Sequence, residues 1–243
     1  MTRYWNQEKF EGLEAIATQA EGQPHLQAFA RSCRFKATGL RRQAQAALDE
    51  FIAEALALDP GIRRQLIDER GLATAGCADQ RRNPQVHHLI PHPLAKRLVE
   101  PVLAGWLRDA PDDAAVHRWL GILHKDRAAL RTAVALDADE VLARDYLLRE
   151  LINSVAFATH HLPDGELVCE IAFVQECLAE AAGLLVQLPH SEGKPRFAGA
   201  LAQQRQLVED FLAWSEQPEG VAFEQWCERR QREYIWGVYY AFD

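Results

Sequence analysis

A chain of 243 residues with 48% hydrophobic and 26% charged side chains has too much apolar surface to stay disordered and enough length to bury a core without disulfide staples. Its 27 basic and 35 acidic residues leave a net charge of −8. That argues against nucleic acid as a partner, because phosphate binding needs clustered positive charge.

No apolar stretch reaches the roughly 18–20 residues of a membrane span, and the N-terminal MTRYWNQEKFEGLE lacks an apolar signal core. No membrane partner is expected. Five cysteines (Cys33, Cys77, Cys169, Cys177, Cys227) are scattered without a C-x-x-C pair. An odd, dispersed set fits reduced thiols in a cytoplasmic protein better than a disulfide framework.

Helical spacing of apolar residues runs through nearly the whole chain. Phe10, Leu13, Ala17 and Ala20 predict a first helix over residues 6–20, broken by Gly22 and Pro24. Leu26, Phe29 and Cys33 open a second, which bends at Gly39 and continues through Phe51 and Ala55 to Leu58. Asp59-Pro60-Gly61 stops it, and a short helix over 62–70 ends at Gly71. Residues 1–75 therefore read as an N-terminal helical region.

Residues 76–93 read as an irregular connection, with Pro84, Pro91 and Pro93 and no helical period. Cys77, His87, His88 and His92 fall in it and are the candidate metal ligands, since thiol and imidazole groups can hold zinc. Pro91 and Pro93 oppose the helix that would put His88 and His92 on one face, and no fourth ligand has a recognisable spacing. The expectation is loop histidines bonded to backbone or water, with no metal and no cofactor.

Residues 94–243 read as a C-terminal helical region, either separate from the first or continuous with it. Pro101 predicts a break or kink near Glu100 in a helix over 94–107. Asp112 is a candidate N-cap for a helix through Leu123, and another helix follows from Asp126 to Leu136. Asp137 with Glu140 has capping-box spacing for a long helix to His161. Pro163-Asp164-Gly165 turns the chain. Leu167, Ile171, Val174, Leu178, Ala181, Leu185 and Leu188 then alternate four and three apart, a heptad-like seam over 166–188. With the preceding helix it predicts an antiparallel hairpin. Phe197, Leu201, Val208 and Phe211 mark a further helix, and Phe223, Cys227 and Tyr234 the last. The fold class is all-α: helical hairpins packed as a bundle or a short repeat-like solenoid.

Chemistry is sparse. There is no G-x-G-x-x-G, no phosphate loop, no H-E-x-x-H and no G-x-S-x-G, so no catalytic residue is assigned. His117 and His124 share a helix face and read as packing residues. His160 and His161 end the long helix, where the dipole favours positive charge. The C-terminus is different: Trp236, Tyr239, Tyr240 and Phe242 crowd one short tail. An apolar run of that kind docks on its own core or meets a partner, so these four are the candidate partner-binding residues.

Two stretches share a phrase. Ala55-Leu56-Ala57-Leu58-Asp59-Pro60 and Ala133-Val134-Ala135-Leu136-Asp137-Ala138 both end a helix in the same way. The second follows His117-Arg118-Trp119-Leu120-Gly121, whose Leu-Gly pair allows close helix packing. This resembles a degenerate tetratricopeptide repeat, with His117 in the aromatic position. The resemblance implies an interaction scaffold and no chemistry. The expected function is a non-enzymatic helical scaffold binding another protein, with a homo-oligomer left open. One alternative is an acidic immunity or inhibitor-type protein holding a basic partner. Another is a metal-binding protein or enzyme that uses the histidine-rich connection.

Overall fold

The computed structural model describes residues 7–68, 92–189, 193–216 and 220–234. Among these, about 80% are helical, in eleven helices, and none is in a strand, so the protein is all-α as the sequence predicts. No helix among the described residues is long and apolar enough to cross a membrane. The chain divides into two compact units, Met1–Trp119 and Leu120–Asp243. The connection expected over 76–93 lies outside the described residues except at its last two positions.

The N-terminal unit begins with α1 (Gln7–Glu21), α2 (Gln27–Ala37) and α3 (Arg41–Ala57), each packed on the next. Leu13, Ile16 and Ala17 of α1 are buried, as are Phe29 and Cys33 of α2 and Leu48, Phe51 and Ile52 of α3. The Phe29 and Phe51 rings lie 5.4 Å apart. The buried Ser32 hydroxyl donates to the Ala44 carbonyl at 2.8 Å, tying α2 to α3.

The single helix predicted across Gly39 is in fact two. Gly39 sits at φ +79°, and the Leu40 N–H donates to the Phe35 carbonyl at 2.7 Å while the Gly39 N–H reaches Lys36. That is a Schellman closure, which needs a left-handed residue and so uses glycine. It ends the helix instead of bending it.

Asp59 both stops α3 and starts α4 (Pro60–Asp68): its carboxylate accepts from the Gly61 N–H at 2.7 Å, and Pro60 occupies the first turn, where no N–H is needed. Helix α5 spans residues 92–109. It opens as His92–Leu94, widens to a π turn over Ala95–Val99, and continues as Glu100–Asp109. Near Glu100, where a break or kink is predicted, the helix runs on through this turn, in which the Glu100 N–H bonds the Ala95 carbonyl. A proline inside a helix lacks a donor and crowds the carbonyl four residues back. The π turn gives Pro101 a first-turn position, so the helix survives it.

Helix α6 (Ala114–His124) contains the boundary between the units. Asp113, not Asp112, caps it, accepting from the Ala115 N–H at 3.0 Å. The Trp106 indole N–H also donates to Asp113, at 2.8 Å, and this tertiary bond selects between the two neighbouring aspartates.

In the C-terminal unit, Asp126 caps α7 (Arg127–Leu136), accepting from Ala128 and Ala129. The carboxylate capping α8 (Val141–Thr159) is Glu140, while Asp137 closes the preceding turn onto the Asp139 N–H at 2.8 Å. Helix α8 packs on α7, α9 (Ile171–Gln187) and α10 (Gly193–Glu216). Its buried residues lie on several sides: Ala143, Tyr146, Leu147, Leu148, Leu151, Ile152 and Val155. A helix enclosed in this way needs such a pattern.

The seam of α9 is Val174, Cys177, Leu178, Ala181 and Leu184. Ile171 and Leu185 are only half-buried, and Leu167 lies before the helix. A strict heptad drifts around a straight helix of 3.6 residues per turn, so Cys177 and Leu184 face the core. Leu167 instead packs against a second cluster of Leu162, Leu207, Phe223, Trp226 and Cys227, built where α11 (Phe223–Arg229) meets α10. Gly165, at φ +81°, leaves room for Trp214 there: a Cβ would approach its ring at 3.1 Å.

Gly121 is the tightest glycine. A Cβ would meet Leu130 Cγ at 2.5 Å and the Leu130 backbone nitrogen at 3.0 Å. Gly121→Ala is therefore expected to cost about 1–3 kcal/mol in urea unfolding. Pairing it with Leu130→Ala should cost less than the sum of the two singles, because the shortened side chain removes the clash.

Burial pushes the Cys33 thiol up to about 12. The neutral thiol is favoured in the fold, whereas the unfolded chain ionises from about pH 9. The resulting stability is complete below pH 9 and is lost as pH rises through 12. The urea midpoint should fall between about pH 8 and pH 10.5, and Cys33→Ala should flatten that slope.

Candidate functional site

Cys77, His87 and His88 lie outside the described residues, as do Trp236, Tyr239, Tyr240 and Phe242. Of His92 only the backbone is described, in the first turn of α5. Among the described residues, no group of three His, Cys, Asp or Glu side chains is placed to hold a metal ion. The His117 ring bonds the Pro111 carbonyl through Nε2 at 2.7 Å, and His124 is exposed at the end of α6.

The buried nucleophiles are quiet. Burial raises the thiols of Cys33 and Cys177, and that of Cys227 to about 11. A thiol held neutral is a poor nucleophile, although the Arg127 guanidinium partly opposes the shift at Cys177.

Most engaged carboxylates act as struts. Asp68 accepts from Arg118 and, at 2.8 Å, from the Trp119 indole N–H, with the Arg118 guanidinium 5.0 Å above the Trp119 ring. Asp210, which is buried, accepts from Tyr234, from Gln206 at 3.1 Å and from Arg232 at 3.3 Å. Burial, and then the bond to Asp210, raise the Tyr234 phenol. Both groups hold structure, one joining α4 to α6 and the other tying residues 232–234 to α10. Elsewhere Asp49 pairs with Arg97, Glu50 with Arg31, Asp109 with Arg64 and Glu180 in bidentate fashion with Arg131.

The turn between α8 and α9 carries carboxylates outside this pattern, as do α10 at Glu209 and Glu216 and α11 at Glu224 and Glu228. Between Arg149 and Lys194 the chain has seven acidic residues and no Lys or Arg. Glu166, Glu170 and Glu176 are exposed and make no ion pair or side-chain hydrogen bond among the described residues. Asp164 meets only His161, at 3.2 Å.

Large apolar side chains stand beside these carboxylates. Phe157 is 61% exposed and Val168 43%, and the Val168 N–H donates to the Ala158 carbonyl at 3.0 Å, which sets Val168 next to the end of α8. The rings of Phe157 and His160 are 5.1 Å apart, and those of His160 and His161 4.1 Å. His160 also donates from Nδ1 to the Phe157 carbonyl, capping the helix end.

Charge is divided unequally between the units. Residues 1–119 hold 16 basic and 15 acidic residues, net +1, and residues 120–243 hold 11 and 20, net −9. The surplus of acidic residues therefore lies in the C-terminal unit, and the α8–α9 turn falls in its long stretch of sequence without Lys or Arg. The sequence points to His160 and His161 at the helix end and to none of these glutamates; the run without Lys or Arg is the signal available. No protein-family profile, curated protein or solved structure matches this chain.

Tyr234→Phe keeps the ring and removes the donor to Asp210. Loss of that hydrogen bond to a carboxylate should destabilise the protein by about 1.5–3 kcal/mol in urea unfolding.

Proposed function

We propose that the protein is a non-enzymatic helical scaffold that binds another protein. The observation that carries this reading is the concentration of a −9 net charge in one unit built of packed helical pairs. Glu166 and Glu170, which make no ion pair among the described residues, neighbour the exposed Val168 in the chain at the α8–α9 turn, where Phe157 is also exposed. Such a surface suits a protein partner of opposite charge.

The close approach of Gly121 to Leu130 supports a degenerate tetratricopeptide-like pairing of α6 with α7. The free cysteines Cys33, Cys169, Cys177 and Cys227 fit a cytoplasmic setting. The same charge division favours a second reading, an acidic immunity or inhibitor-type protein that neutralises one basic partner.

Affinity purification from the native host, repeated in reverse from the recovered protein, tests both. A partner retained in either direction, with a complex that weakens as salt rises, is the expected result. A salt-insensitive complex with an acidic protein would remove the second reading, and recovery of no reciprocal partner would remove both.

A further inference from the structure

Resting on the scaffold reading, we infer that the α8–α9 turn of the C-terminal unit is the docking surface for a basic protein segment carrying an apolar anchor. Phe157 and Val168 provide apolar area outside the core. Asp164, Glu166 and Glu170 neighbour them in the chain, and the sequence from 150 to 193 contains no Lys or Arg. The Phe157, His160 and His161 rings follow one another at 5.1 and 4.1 Å, and an aromatic face such as that of Phe157 attracts a guanidinium or ammonium group. An apolar anchor ringed by charge complementary to the partner is the usual anatomy of a binding hot spot.

The other occupants fit less well. Nucleic acid and an anionic bilayer both present negative charge to these carboxylates. The chain's own residues 235–243 contain Asp243 and no Lys or Arg, so charge gives no reason for them to settle here. In a second copy, Arg31, Arg34, Arg64, Arg97 and Arg118 are already paired with carboxylates of their own unit.

The test uses the full chain and a labelled synthetic amphipathic peptide of Lys and Leu, with a Glu-for-Lys peptide as its opposite. Fluorescence anisotropy at roughly 50 and 300 mM salt gives affinity, and hydrogen–deuterium exchange locates the site. The Lys peptide should bind and protect residues 157–170, while the Glu peptide should not. Glu166→Lys with Glu170→Lys, and separately Phe157→Ser, should each weaken binding by roughly tenfold or more. Glu224→Lys with Glu228→Lys on α11 should change it by less than about threefold.

Equal losses for the two charge reversals would mean that only net charge matters and would overturn the inference. So would protection mapped elsewhere, no effect of Phe157→Ser, a dimer in sedimentation that the turn variants dissolve, or tighter peptide binding after deletion of residues 235–243. If a variant fails to melt cooperatively, the exchange map of the unaltered protein decides. A reciprocal native partner whose binding survives the turn variants would defeat the docking site and leave the scaffold reading standing. Absence of any reciprocal partner would defeat the scaffold reading itself.

Discussion

Every helix end presents backbone N–H or C=O groups with no partner inside the helix, and a chain with eleven helices among its described residues meets this demand again and again. The acidic side chains are its main answer. Asp59, Asp113, Asp126 and Glu140 accept from the first turns of α4, α6, α7 and α8, where a carboxylate also suits the helix dipole. At the other ends Gly39 and Gly165 take left-handed conformations and His160 caps a carbonyl. The short turns that these closures permit are what bring successive helices face to face.

Once caps and ion pairs are assigned, the net charge of −8 acquires a location. The N-terminal unit is nearly neutral, and its described carboxylates are largely matched by nearby arginines. Such exposed pairs are each worth little to stability, yet they leave the surface electrically quiet. The C-terminal unit has almost twice as many acids as bases, and exposed glutamates without an ion pair among the described residues occur at the α8–α9 turn and on α10 and α11.

The all-α class, the helix order and several caps were legible in the residues. Asp126 announces α7 because an aspartate before an apolar period is a local signal, and Pro163-Asp164-Gly165 announces its turn for the same reason. What was not legible depended on tertiary contacts. Nothing local separates Asp112 from Asp113; the Trp106 indole does so from α5. Gly39 could bend or end a helix, and the hydrogen bond from Leu40 to Phe35 decides. Pro101 signals a break or kink, and the widened turn before it lets the helix continue. The heptad seam of α9 was displaced because packing follows the true helical period. At the candidate site His160 and His161 stand out in the sequence and the carboxylates do not, since a glutamate on a helix face is ordinary until its partners in the fold are known.

The cation-free stretch also shapes how this part of the molecule can be handled, in the laboratory and in the cell. Trypsin has no site from residue 150 to Lys194, and Pro195 protects that lysine too, so half of α8, the turn and all of α9 leave a digest as one long acidic fragment. Amine-reactive cross-linkers find nothing to join there, and neither acetylation nor ubiquitin attachment can mark a surface that has no lysine. Carboxylate-directed or photoactivated reagents, or thiol-directed ones at the free Cys169, would record a neighbour seated on the turn.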